Sequence, residues 1–177
     1  MMRFKKSLIF LPLVIFLVLL NHISWQRNDL GVMLTVDEIP IDVLGKILNS
    51  INKLTRNCSN VVLLPDTHPK YLLAQNLIRN YSPPDSVSLD IAGAWSMNGW
   101  VLVEVEFKHL LPAVVMIQNA DSVAEIVPDA IWSGYTNPHV PAPFIRNFLT
   151  EKIQSPPQSL IDCFEPLSKS FKSNNEK

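Results

Sequence analysis

The spacing of hydrophobic positions changes repeatedly along the chain, and each change predicts a different element. The first stretch is not periodic. Leu8 to Leu20 is an unbroken apolar run, LIFLPLVIFLVLL, which Ile23 and Trp25 extend around Asn21, His22 and Ser24. A helix over 7–25 would rise about 28 Å, close to a bilayer core. Pro12 falls in its first turns, where a missing N–H does least harm. Further on the period becomes helical. Val43, Leu44, Ile47, Leu48, Ile51 and Leu54 form one stripe, with Lys46, Asn49, Ser50, Asn52 and Lys53 opposite. That predicts an amphipathic helix starting near Asp37, with Pro40 in its first turn and Asn57 as its stop.

Val61–Leu64 reads as a short strand or buried connection. Asp66 or Thr67 is placed to cap a second helix, with Pro69 at its start and Leu72, Leu73 and Leu77 along it. Ser82-Pro83-Pro84-Asp85 ends that helix. The period then drops to two. Val87, Leu89 and Ile91 alternate with Ser88 and Asp90, and Asn98-Gly99 is a hairpin turn signal. Beyond it Val101, Val103, Val105 and Phe107 form the expected core face. Trp100, Leu102, Glu104 and Glu106 form the expected solvent face. Further strands are predicted at 113–118 and 123–127, so the strands make an antiparallel meander. Pro141 and Pro143 suit the start of a last long helix carrying Phe144, Ile145, Phe148, Leu149 and Ile153. Ser155-Pro156-Pro157 stops it, and a short helix with Leu160, Ile161 and Phe164 follows. The expected fold class is α+β: a transmembrane helix, then a small domain with helices packed on one face of the meander.

Charge orients this layout. The whole chain carries a formal −1, yet Arg3, Lys5 and Lys6 put three cations ahead of the apolar run. By the positive-inside bias, 1–6 is a cytoplasmic tail and 7–25 a single-pass signal-anchor. Residues 26–36 are then a juxtamembrane linker, 37–166 an exported domain and 167–177 a disordered polar tail. In a Gram-negative cell that domain is periplasmic. The alternative is a cleaved signal peptide and a secreted chain, but no small-x-small cleavage pattern follows the run. The remainder is mildly acidic, so there is no electrostatic footprint for nucleic acid.

Cys58 and Cys163 are the only cysteines, and both follow the anchor. An even pair in an oxidising compartment predicts one disulfide. Asn57-Cys58-Ser59 and Asn80-Tyr81-Ser82 match glycosylation acceptors, which matter only in a eukaryote. His68, His109 and His139 are isolated, and nothing supplies a metal-ligand set or a phosphate loop. No metal, cofactor or catalytic residue is therefore assigned. Glu104 and Glu106 share a strand face and read as solvated carboxylates, with Asp90 able to join them from the neighbouring strand. Ile131–Arg146 (IWSGYTNPHVPAPFIR) places Trp132, Tyr135 and His139 on a proline-stiffened loop. Such a loop loses little entropy on association. Arg146 is expected to meet the acidic strand face or a partner.

Together Trp132, Tyr135, His139, Arg146, Glu104 and Glu106 are the expected binding surface. The expected function is a membrane-tethered binding or accessory module acting by protein–protein contact. Its rivals are an envelope hydrolase with an Asp/Glu/His site and a structural subunit of an envelope assembly.

Overall fold

The computed structural model describes residues 22–28, 31–119 and 123–171. The chain forms two compact units that divide between Ile47 and Leu48. Most of the expected anchor, 7–21, lies outside the described residues. Its last part is strand, not helix. β1 (Ile23–Asn28), β2 (Gly31–Val36) and β3 (Ile39–Ile41) form a three-stranded antiparallel sheet in that order. The segment expected as a linker, 26–36, is thus mostly the β1–β2 pair, and the expected helix start at 37–41 is largely β3. The cause is visible in the alternation Ile23-x-Trp25 against Val32-x-Leu34-x-Val36, a period of two in strand-forming residues. Among the described residues no helix is long and apolar enough to cross a membrane.

Helix α1 (Val43–Thr55) begins with its apolar stripe, later than the expected start near Asp37. Asp42 starts it: the Asp42 carboxylate accepts from the Gly45 amide at 2.7 Å, a typical N-cap bond. A Cβ on Gly45 would stand 2.1 Å from that carboxylate, so glycine is what lets the cap close.

The second unit is a five-stranded antiparallel sheet in the order β4-β5-β6-β7-β8. Its strands are β4 (Val62–Leu63), β5 (Asp90–Met97), β6 (Trp100–Glu106), β7 (Ala113–Gln118) and β8 (Glu125–Ser133). Asn98 and Gly99 join β5 to β6 with φ of 48° and 79°, the mirror-image turn their sequence favours. Edge strand β8 carries Pro128, which blunts the edge against further pairing. α2 (Pro69–Tyr81) is capped by His68, whose Nδ1 accepts from Lys70 N at 3.1 Å. The cap is therefore neither Asp66 nor Thr67. A 3-10 turn at Asp85–Ser88 takes the place of the first half of the expected strand. α3 (Pro141–Lys152) and α4 (Gln158–Asp162) complete the unit.

Helices cover both faces of this sheet, not one. Val101, Val103 and Val105 pack with Ala74 and Ile78 of α2. Leu102, Val114 and Met116 pack with Ile145 and Leu149 of α3 and with Leu160 and Ile161 of α4. The central strands are buried on both sides because β6 and β7 are apolar at odd and even positions alike. The even set of β6, assigned above to solvent, includes fully buried Leu102 and Glu104. The segment after Glu165 is not loose either. Ser168 and Phe171 are 4% and 3% exposed, whereas 172–177 lie outside the described residues.

Candidate functional site

α1 leaves its apolar stripe in solvent, where a surface helix usually buries it. Within the second unit, which begins at Leu48, two polar side chains of the helix and Arg56 just past it meet a charged cluster. Arg146, from α3, donates from Nη1 to Asn49 Oδ1 at 3.1 Å and from Nη2 to Glu165 Oε1 at 2.6 Å. The same guanidinium donates from Nε and Nη2 to the Phe164 carbonyl at 3.0 and 2.6 Å. Arg56 reaches Glu165 at 2.8 Å, and Lys53 lies 3.5 Å from it. Burial holds the Arg146 guanidinium below its ordinary pKa, while the Glu165 carboxylate pulls it back up. Three cations around one carboxylate leave excess positive charge, which the Phe164 and Asp162 carbonyls partly meet. Beside this cluster Cys58 and Cys163 form the expected disulfide, with Cα atoms 5.8 Å apart.

The apolar side of α1 is left facing solvent. Leu48, Ile51 and Leu54 are 48%, 52% and 86% exposed, and Leu44 and Ile47 continue the stripe toward the helix start. Five aliphatic side chains in one stripe expose on the order of a few hundred Å² of apolar surface, a size that marks interaction sites on monomers. The stripe itself was plain in the sequence. Its direction was not, because a helix that buries its stripe has the same pattern.

The residues expected to form a binding surface do not gather into one. Trp132 lies edge-on to Phe144 and Phe148 at 5.0 and 5.3 Å, as cover for the core. His139 is buried and stacks on Phe144 at 5.3 Å. Arg146 is 6% exposed and meets Glu165, not the acidic strand. Of the loop, Tyr135 stands out at 62% exposed.

Glu104 and Glu106 are not solvated carboxylates. Glu104 is fully buried and accepts from the amides of Leu167 at 2.7 Å and Ser168 at 3.1 Å. Glu106 accepts from Ser170 N at 3.2 Å and Ser170 Oγ at 2.6 Å. The two acids strap the C-terminal segment onto β6. Gly93 assists, since a Cβ there would come within 2.9 Å of Leu167 Cδ1. Glu104 therefore cannot join Asp90 and a histidine in a hydrolytic site: both its oxygens are occupied by backbone N–H groups. Among the described residues no three His, Cys, Asp or Glu side chains converge as metal ligands. A cavity of about 270 Å³ is lined mainly by apolar side chains, among them Ile78, Phe107, Leu111 and Ile131, with Tyr81 and Ser133 at its wall.

Burial raises the Glu104 pKa above the usual carboxylate range, against the opposing pull of the Leu167 and Ser168 hydrogen bonds. The folded state then holds this proton more tightly than the unfolded chain. Its contribution to stability is present below the ordinary glutamate pKa and is lost as pH rises through the raised value. Glu104→Gln leaves one amide without an acceptor, costing about 1–2 kcal/mol. The gap between wild type and variant is expected to narrow as pH rises through that window. Urea melts of both proteins at a series of pH values measure it, and a widening gap contradicts the assignment.

Comparison with protein-family models, curated proteins and solved structures returns no match for this chain.

Proposed function

We propose that the protein is a membrane-tethered, extracytoplasmic interaction module that acts by protein–protein contact through the outward face of α1. The single observation that carries this reading is the apolar stripe that α1 offers to solvent. The tether is the apolar run within 7–21, and the disulfide supports an oxidising compartment. The stripe also suggests the chemistry of the partner. Leu44, Ile47, Ile51 and Leu54 are spaced three, four and three residues apart, the a/d repeat that seats against another helix. The positions flanking it include uncharged Ser50 and Thr55. A lipid surface fits this stripe less well, because Lys53 and Arg56 are engaged by Glu165. The occupant is an amphipathic helix of a partner protein.

A photo-crosslinking side chain at Ile51 in the full chain, expressed in cells, tests this. One protein is expected to be captured, and Leu54→Asp is expected to abolish capture while leaving the melting temperature within about 1–2 °C of wild type, as for other exposed positions. Capture that survives Leu54→Asp, or that yields lipid in place of protein, rules the helix face out.

A further inference from the structure

The β1–β3 sheet, like α1, leaves large apolar side chains in solvent. Cross-strand partners share a face. Ile23 pairs with Val36, Trp25 with Leu34 and Arg27 with Val32, and the β2–β3 pairs Leu34–Ile41 and Val36–Ile39 extend the same face. This face is apolar apart from Arg27. Its outer part is open, with Trp25 69%, Ile39 61%, Val32 44% and Ile23 39% exposed, while Leu34, Val36 and Ile41 are half-buried. On the other face Met33 and Thr35 are 2% and 4% exposed, although their partners Gln26 and Ser24 stand in solvent. A small sheet that buries a threonine and presents a tryptophan has its apolar side turned toward something other than its own core.

Chain length identifies the occupant. The apolar run ends at Leu20, three residues before Ile23 and five before Trp25. Even fully extended, five residues span no more than about 18 Å and three about 11 Å. The polar layer on each side of a bilayer core is about 6 Å deep. Trp25 is therefore held within about 18 Å of the bilayer core, which keeps the headgroup layer within reach of the open face. Its composition suits that depth: one indole, several aliphatic side chains and a single cation.

Resting on the tether proposed above, we propose that the Ile23–Trp25–Ile39 face of the β1–β3 sheet lies in the membrane interface. Trp25 and Ile39 enter the headgroup–acyl boundary and Arg27 stays at the phosphates. The sheet is then a membrane-lying collar between the tether and the domain.

Depth-dependent quenching tests this on the full-length protein reconstituted in phosphatidylcholine vesicles. Trp25 is one of four tryptophans, so its emission is taken as wild type minus Trp25→Phe. Lipids brominated near the headgroup are expected to quench that difference at least about twofold more than lipids brominated near the chain ends. A Ser24→Trp, Trp25→Phe double variant moves the indole to the opposite face and is expected to escape quenching. Carbonate extraction of the same vesicles reports the tether separately. If the protein resists carbonate and Trp25 is unquenched, the sheet does not lie on the membrane and the tether stands. Equal quenching of the two faces also overturns the orientation. Release by carbonate removes the tether, and the membrane collar with it.

Discussion

Replacing Cys58 and Cys163 together by Ser is expected to lower the unfolding free energy by about 4 kcal/mol and the melting temperature by roughly 10–20 °C. The two residues are separated by 105 positions, so the bond closes nearly the whole second unit into one loop. Chain-entropy estimates for a loop of about 100 residues reach about 4.7 kcal/mol, and engineered cases tend to fall below such values. The effect acts mainly on the unfolded chain, so native contacts should change little. Cys163 is 8% exposed, so reductant is expected to act slowly on the folded protein and quickly in urea. Urea melts of the oxidised, reduced and doubly substituted proteins measure the difference. A loss below about 1 kcal/mol would mean that the unfolded chain is already held compact without the bond.

Arg146→Ala is expected to cost about 3 kcal/mol, the lower end for breaking a buried ion pair, since Glu165 is partly open to solvent. The guanidinium serves Asn49, Phe164 and Glu165 together, and its removal leaves the Phe164 carbonyl short of both its Arg146 donors. Lys is expected to restore less than half of the loss, because one ammonium cannot reproduce the planar fork. Arg146 and the disulfide join the same two segments, so their losses should not add. A triple variant lacking the disulfide and Arg146 measures that coupling. Strict additivity would show that the two fasten α1 independently.

Much of this fold was legible from local chemistry. The meander followed from period-two alternation and from Asn98-Gly99, whose positive φ angles only a few residue types accept. The helices at 69–81 and 141–152 followed from Pro at their starts and apolar spacing within. The disulfide followed from an even pair of cysteines. Elements with two sided patterns were harder to read. Glu104 stands in line with Leu102 on one face of β6, and the alternation alone placed both in solvent. A second layer of helices buries them, and the backbone amides of 167–168 make a buried carboxylate tolerable. The polar tail looked unstructured because Ser168 and Ser170 carry no hydrophobic signal. Its order comes from Glu104, Glu106 and the burial of Phe171, all distant in sequence.

The candidate surfaces divide along the same line. The amino-acid order by itself determined that residues 43–54 carry an apolar stripe and that an apolar run precedes Ile23, since periodicity and hydropathy are local properties. Only the tertiary structure decided that the stripe faces outward and that Trp25 stands open. Which face of an amphipathic element is buried depends on what binds the other side. Here Asn49, Lys53 and Arg56 meet Arg146 and Glu165 beside the Cys58–Cys163 bond, all contacts between residues distant in sequence.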